Sequence, residues 1–144
     1  MRKNILILGA NGLIGNGLTQ YFYSKNLNLF ASIRSKEKKF NNNIKYYYHN
    51  DIASKKSFNL IKKIIEKVKP DYVINCIGIT KHIKKKNNTK LNIDLPRFIF
   101  NLSNIYKFKF IHITTDCVFD GTKGNYNEGS ETNAKDRYGI SKAK

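Results

Sequence analysis

Four consecutive apolar residues, Ile5-Leu-Ile-Leu8, run directly into Gly9-Ala-Asn-Gly12-Leu-Ile-Gly15. No other feature restricts the fold as much. An apolar run of this length, closed by a glycine turn, reads as a strand buried on both faces, as in a parallel sheet. Behind it, Ile14, Leu18, Tyr21 and Phe22 fall at helical spacing and predict an amphipathic helix. Strand, G-x-x-G-x-x-G turn and helix, in that order, form a dinucleotide-binding pattern. The three glycines allow a tight turn, close approach of backbone to a pyrophosphate, and close packing of helix on strand. Gly9, Asn11, Gly12, Leu13, Ile14 and Gly15 would then surround the helix start, where free N–H groups and the helix dipole favour an anion.

Further strands and helices alternate along the chain. Leu29–Ile33 reads as a second strand closed by Arg34, and Ile44–Tyr48 as a third, after the polar turn Asn41-Asn-Asn43. Asp51 and Ile52 follow it, at the carboxyl end of the strand, where open α/β sheets place their ligands. Ser54 suits the N-cap of a helix carrying Phe58, Ile61, Ile65 and Val68 on one face, with Pro70 beyond it. Asp71–Ile77 is a fourth buried strand. Leu91, Leu95, Phe98, Leu102 and Ile105 mark another helix, distorted at Pro96. Phe108–Thr114 is a fifth strand, and a long polar loop then runs to Lys135. The alternation specifies an α/β fold, a doubly wound parallel sheet of Rossmann type.

The second strand decides the cofactor expectation. A site that prefers NAD has Asp or Glu at its end, bonded to the ribose 2′-OH. Here Arg34 stands in that place, with Ser35, Lys36 and Lys38 beyond it. A guanidinium suits a phosphate in geometry and charge, so NADP(H) is expected, with NAD(H) as the alternative.

The formal charge is +17, from 27 Lys and Arg against 10 Asp and Glu. Such an excess invites a nucleic-acid reading. The lysines are spread along the chain, however, and only Lys84-Lys-Lys86 forms a tight run. Aromatic residues do not alternate with base-contacting ones in any recognisable module. The charge implies a general attraction to anions and no specific nucleic-acid partner. No apolar run approaches a membrane span, and Met1-Arg-Lys leads into a strand rather than a signal peptide. The cytoplasm is the expected compartment. Cys76 and Cys117 lack metal-ligand spacing and any reason to pair, so no metal site is expected.

The chemistry lies in the last third of the chain. Thr114-Thr-Asp-Cys-Val-Phe-Asp-Gly121 leaves the fifth strand, and Tyr138-Gly-Ile-Ser-Lys142 follows. Tyr138 and Lys142 are four residues apart and share a face if the segment is helical. An ammonium nearby favours the phenolate, which makes Tyr138 a proton donor to a carbonyl oxygen. Thr115 is placed to hydrogen-bond the same oxygen.

On Gly9–Gly15, Asn75-Cys-Ile-Gly78, Thr115–Gly124 and Tyr138–Lys142, the chain resembles the extended short-chain dehydrogenase/reductases, and most the dTDP-4-dehydrorhamnose reductase branch. The resemblance implies a catalytic set of Thr115, Tyr138 and Lys142, with Lys142 also on the nicotinamide ribose. It implies cofactor contacts from Cys76, Ile77 and Gly78, and an asparagine at a position the superfamily often keeps, Asn92. The implied activity is NADP(H)-dependent reduction of a 4-keto nucleotide sugar, such as the dTDP-4-keto sugar on the path to rhamnose. A homodimer is left open. A nucleotide-sugar epimerase or dehydratase is the nearest rival. A non-catalytic NADP-binding protein, resembling the regulatory subunit of methionine adenosyltransferase, is another, as is an inactive truncated product.

Members of that branch are roughly twice as long, so residues 1–144 are expected to form one NAD(P)-binding domain whose C-terminal substrate domain is missing. About seven residues cannot hold an isolated helix in water, so the Tyr138–Lys142 geometry is expected to lack support.

Overall fold

The computed structural model describes residues 1–34, 43–49, 55–80 and 90–144. Five parallel strands form one sheet: β1 (Asn4–Leu8), β2 (Asn28–Ile33), β3 (Lys45–Tyr48), β4 (Tyr72–Asn75) and β5 (Lys109–His112). Their order across the sheet is β3-β2-β1-β4-β5. β1 takes the centre because it can be covered on both sides. Leu6 and Leu8 face a core built with Ile61, Ile65, Val73, Leu95 and Ile99, while Ile5 and Ile7 face a second core with Ala31, Ile33 and Ile74. The register pairs Leu8 with both Ser32 and Asn75, and Asn75 with His112. Ser32, Asn75 and His112 therefore lie side by side near the carboxyl ends of the strands.

The helices are α1 (Leu13–Tyr23), α2 (Lys55–Val68), α3 (Leu95–Tyr106) and α4 (Arg137–Ala143). α1 corrects the expected apolar stripe. Ile14 and Tyr21 are 50% and 58% exposed, whereas Gly15 and Thr19 are buried, and Leu18 and Phe22 pack on the second core. The inward stripe is 15-18-19-22, because Gly15 must lie against the carbonyl of Gly9 and only a small residue fits there. The Thr19 hydroxyl is satisfied by the Gly15 carbonyl at 2.6 Å.

α2 buries Ile61, Ile64, Ile65 and Val68, with Phe58 packed beside them. Its expected cap, Ser54, lies outside the described residues, as do Ser35, Lys36, Lys38, Asp51, Ile52 and Lys84–Lys86. In α3 the buried set is Leu95, Ile99 and Leu102, and Ile105 is 66% exposed, against expectation. A 3.5-residue spacing drifts off the face of a straight helix of 3.6 residues per turn, so the inward place passes to Ile99 and the outward one to Ile105. Pro96 sits in the first turn of α3, where its missing N–H is harmless. The departure from α-helical geometry precedes it, as one π turn at Lys90–Asp94.

α4 overturns the expectation that so short a segment lacks support. Asp136 caps it by accepting from the Gly139 N–H at 2.8 Å, and Gly139 and Ser141 are buried against the rest of the molecule. Tertiary contacts supply what seven residues cannot supply alone.

Candidate active site

The glycine turn is built from close approaches. Gly9 adopts φ of +80°, a conformation L side chains avoid. A Cβ there would also lie 2.8 Å from Ile77 Cγ1, in the loop after β4. At Gly15 a Cβ would run into the Gly9 carbonyl and lie 3.0 Å from the Ala10 Cα. Gly12 is the N-cap of α1 and brings no side chain to the first turn. The helix therefore begins with N–H groups that its own cap leaves open, the feature an anion requires. Asn11 is half-buried there, and Leu13 and Ile14 are exposed.

Ser32 Oγ, at the end of β2, accepts the Gly9 N–H at 3.1 Å and lies 3.3 Å from His49 Nε2. His49 is buried at the end of β3. Burial, and then the positive charge of Arg34, hold its pKa down to about 4, so the ring is neutral at physiological pH. Arg34 itself is exposed.

Beside the turn opens a cavity of about 260 Å³. Ile14, Asn75, Cys76, Ile77, Gly78, Ile79 and Thr80 line it together with Ile113, Thr114, Thr115, Tyr138 and Lys142. Thr115, Tyr138 and Lys142, singled out from the sequence, thus share a cavity with Ile14 and with Cys76, Ile77 and Gly78. Burial raises the Cys76 pKa to about 11, so its sulfur is a thiol and no nucleophile. Thr115 caps the 3₁₀ turn Asp116–Val118: its Oγ1 accepts from the Cys117 N–H and donates to Asp116 Oδ1, both at 3.3 Å.

Lys142 is half-buried, and that burial lowers its pKa. Its Nζ donates to the Ile113 carbonyl at 2.7 Å and lies 3.3 Å from His112 Nε2. Burial, then the Lys142 charge, hold His112 at a pKa of about 4. Asn92 is buried, and its amide is engaged within the protein. Oδ1 accepts from the Ile79 N–H at 2.9 Å, and Nδ2 donates to the Ile79 carbonyl and, at 2.9 Å, to Ser141 Oγ. Ser141 Oγ in turn donates to the Tyr138 carbonyl at 2.7 Å. Asn92 so ties the loop after β4 to the helix that carries Tyr138.

Sequence reasoning missed His112, Ser141 and the side-chain role of Asn75. For His112 one signal was present: it stands just before Thr114-Thr115 at the end of a strand, where such sheets gather ligands.

The strand order and the glycine turn define a doubly wound protein of Rossmann type. The chain belongs to the RmlD substrate binding domain family, whose model matches residues 2–144. Among curated relatives, it is 29% identical over 141 residues to the probable low-salt glycan biosynthesis reductase Agl14 of Haloferax volcanii, covering 94% of this chain and 45% of that protein. It superposes on a hypothetical dTDP-4-dehydrorhamnose reductase from Sulfolobus tokodaii with a TM-score of 0.81 and 31% identity, covering 99% of this chain and 49% of the other. The dTDP-4-dehydrorhamnose reductase of Bacillus anthracis, solved in complex with NADP, gives a TM-score of 0.76 at 21% identity, over 99% and 47% of the two chains, and shows the fold. The chain spans about half the length of these relatives. Among the described residues, no helix is long and apolar enough to cross a membrane, and no group of three or more His, Cys, Asp or Glu could hold a metal ion.

Proposed function

We propose that residues 1–144 are the NADP(H)-binding and proton-donating part of a reductase acting on a 4-keto nucleotide sugar, of the dTDP-4-dehydrorhamnose reductase type, in the cytoplasm. The observation that carries this reading is the convergence of Thr115, Tyr138 and Lys142 on one cavity beside an uncapped, glycine-framed helix start. The family and the names of the relatives support it. Gly9 and Gly15 let the turn close against Ile77 and the Gly9 carbonyl, Gly12 starts α1 without a side-chain cap and so leaves its N–H groups to a pyrophosphate, and Arg34 is the charge that selects a 2′-phosphate. The cavity, lined by Cys76, Ile77, Gly78 and Lys142 among others, suits the nicotinamide end.

When bound, NADPH supplies the hydride. The chain's own residues handle the oxygen. Thr115 hydrogen-bonds the sugar carbonyl, Tyr138 gives it a proton, and the Lys142 ammonium stabilises the phenolate that remains. Asn92, through Ser141, keeps the helix bearing Tyr138 in register with the loop after β4. Binding is tested by titrating NADPH and NADH into this chain, and NADPH is expected to bind more tightly. Turnover is tested in a fusion to the C-terminal half of a homologous reductase, since the unfused chain is expected to show none. There, Tyr138→Phe should lower turnover by about 10²–10⁴-fold and leave cofactor affinity nearly unchanged. Wild-type turnover in the Tyr138→Phe fusion would refute the assignment.

A further inference from the structure

His112 ends β5 and takes no part in the chemistry above. One ring nitrogen, Nε2, is 3.3 Å from Lys142 Nζ. The other, Nδ1, is 3.1 Å from Asn75 Nδ2. The Asn75 amide cannot turn round freely, because its Oδ1 accepts the Ile77 N–H at 3.1 Å, and the residue is fully buried. A neutral imidazole has one N–H and one lone pair, whereas an amide NH₂ and an ammonium are both donors. The ring can therefore accept from Asn75 or from Lys142, and not from both.

The ammonium has the stronger claim, since charge-assisted hydrogen bonds are roughly twice as strong as neutral ones. We propose that His112 is the positioning residue of Lys142: its Nε2 lone pair and the Ile113 carbonyl hold two of the three ammonium donors and leave the third to the cavity. The proposal rests on the reading of Lys142 as the partner of Tyr138 and the cofactor. It carries a sharp corollary. Without the ammonium, the ring should reverse its tautomer, accept the Asn75 amide at Nδ1 and move its proton to Nε2.

Ring ¹⁵N NMR at neutral pH tests this directly, and the three histidines of the chain keep the spectrum assignable. His112 Nε2 should resonate as an unprotonated nitrogen in the wild type and as a protonated one in Lys142→Met. A protonated Nε2 in the wild type, or the same tautomer in both proteins, overturns the proposal. NADPH titration adds a second arm. His112→Phe keeps a ring to stack on Phe110 but has no lone pair, and should weaken binding about tenfold; His112→Gln keeps an acceptor and should stay within about twofold. In the Lys142→Met background, His112→Phe should change affinity no further, and an equal loss with and without Lys142 argues for a merely structural ring. If the wild type binds no NADPH, the cofactor reading falls, while the tautomer still decides the role of His112. If His112→Phe does not fold, the wild type and Lys142→Met spectra decide alone.

Discussion

Gly139→Ala probes what holds the Tyr138 helix in place. A Cβ at Gly139 would lie 2.6 Å from Ala134 Cβ and 3.2 Å from the Cys117 carbonyl carbon, and would overlap the Cys117 oxygen. These neighbours cannot rotate away: Cys117 belongs to the 3₁₀ turn, and the Ala134 N–H is bonded to the Val118 carbonyl at 3.0 Å. Carbon atoms rest at about 3.5–4.0 Å, so α4 must retreat by about 1 Å. Overpacking of this kind costs about 1–3 kcal/mol. The retreat also strains the Asp136 cap, worth about 1 kcal/mol, and the Asn92–Ser141 hydrogen bond. The sum is about 2–4 kcal/mol, or roughly 30- to 1,000-fold in the population of undocked α4. Undocking is local, so it belongs in amide exchange rather than in the global melting temperature. Exchange within Tyr138–Lys142 should accelerate by at least about 30-fold while β1 and α2 stay protected, and NADPH affinity should fall with it. Exchange within about threefold of the wild type would refute the argument that this contact seats the helix.

Gly17→Ala is the counter-case: nothing lies within 4 Å of a Cβ there, and the site is inside α1, so stability should rise by about 0.5–1 kcal/mol in denaturant titration. A loss would refute the reading of that space as open. Arg34→Asp should weaken NADPH by about 1.5–3 kcal/mol and leave NADH unharmed, as calorimetric titration would reveal; equal losses for the two cofactors would remove Arg34 from the 2′-phosphate. His49 and His112 stay neutral in the fold down to about pH 4, whereas the unfolded chain protonates them near the ordinary 6.5. The unfolded state thus binds more protons in that interval, so stability should hold above 6.5, fall between 6.5 and 4, and level below. Melting curves across that range, repeated with His112→Gln, should show a shallower fall in the variant; an identical slope would mean that His112 does not contribute.

Much of the molecule was legible residue by residue. The unbroken apolar run, the glycine turn and the helical spacing behind it located β1 and α1, and Tyr138 and Lys142 at a spacing of four implied a shared face that α4 provides. The misreadings have two causes. Ile14, Tyr21 and Ile105 were read inward because they are apolar, yet in α1 the inward place goes to Gly15, which alone fits against the Gly9 carbonyl, and in α3 a 3.5-residue spacing drifts off the buried face. Apolar character measures what burial would gain, and it carries no information about the distance between two backbones.

The succession of strands and helices along the chain and the glycine turn follow from local pattern alone, because spacing and turn chemistry act over a few residues. Three things required the tertiary structure. The docking of α4 depends on Asn92, Ala134 and Cys117, up to 49 residues away in the case of Asn92 and Ser141. The approach of His112 to Lys142 spans 30 residues, and that of Asn75 to His112 spans 37. A hydrogen bond is made only within about 3 Å and in one orientation, so partners far apart in the chain are chosen by how the sheet brings its strand ends together, not by anything written beside them in the sequence.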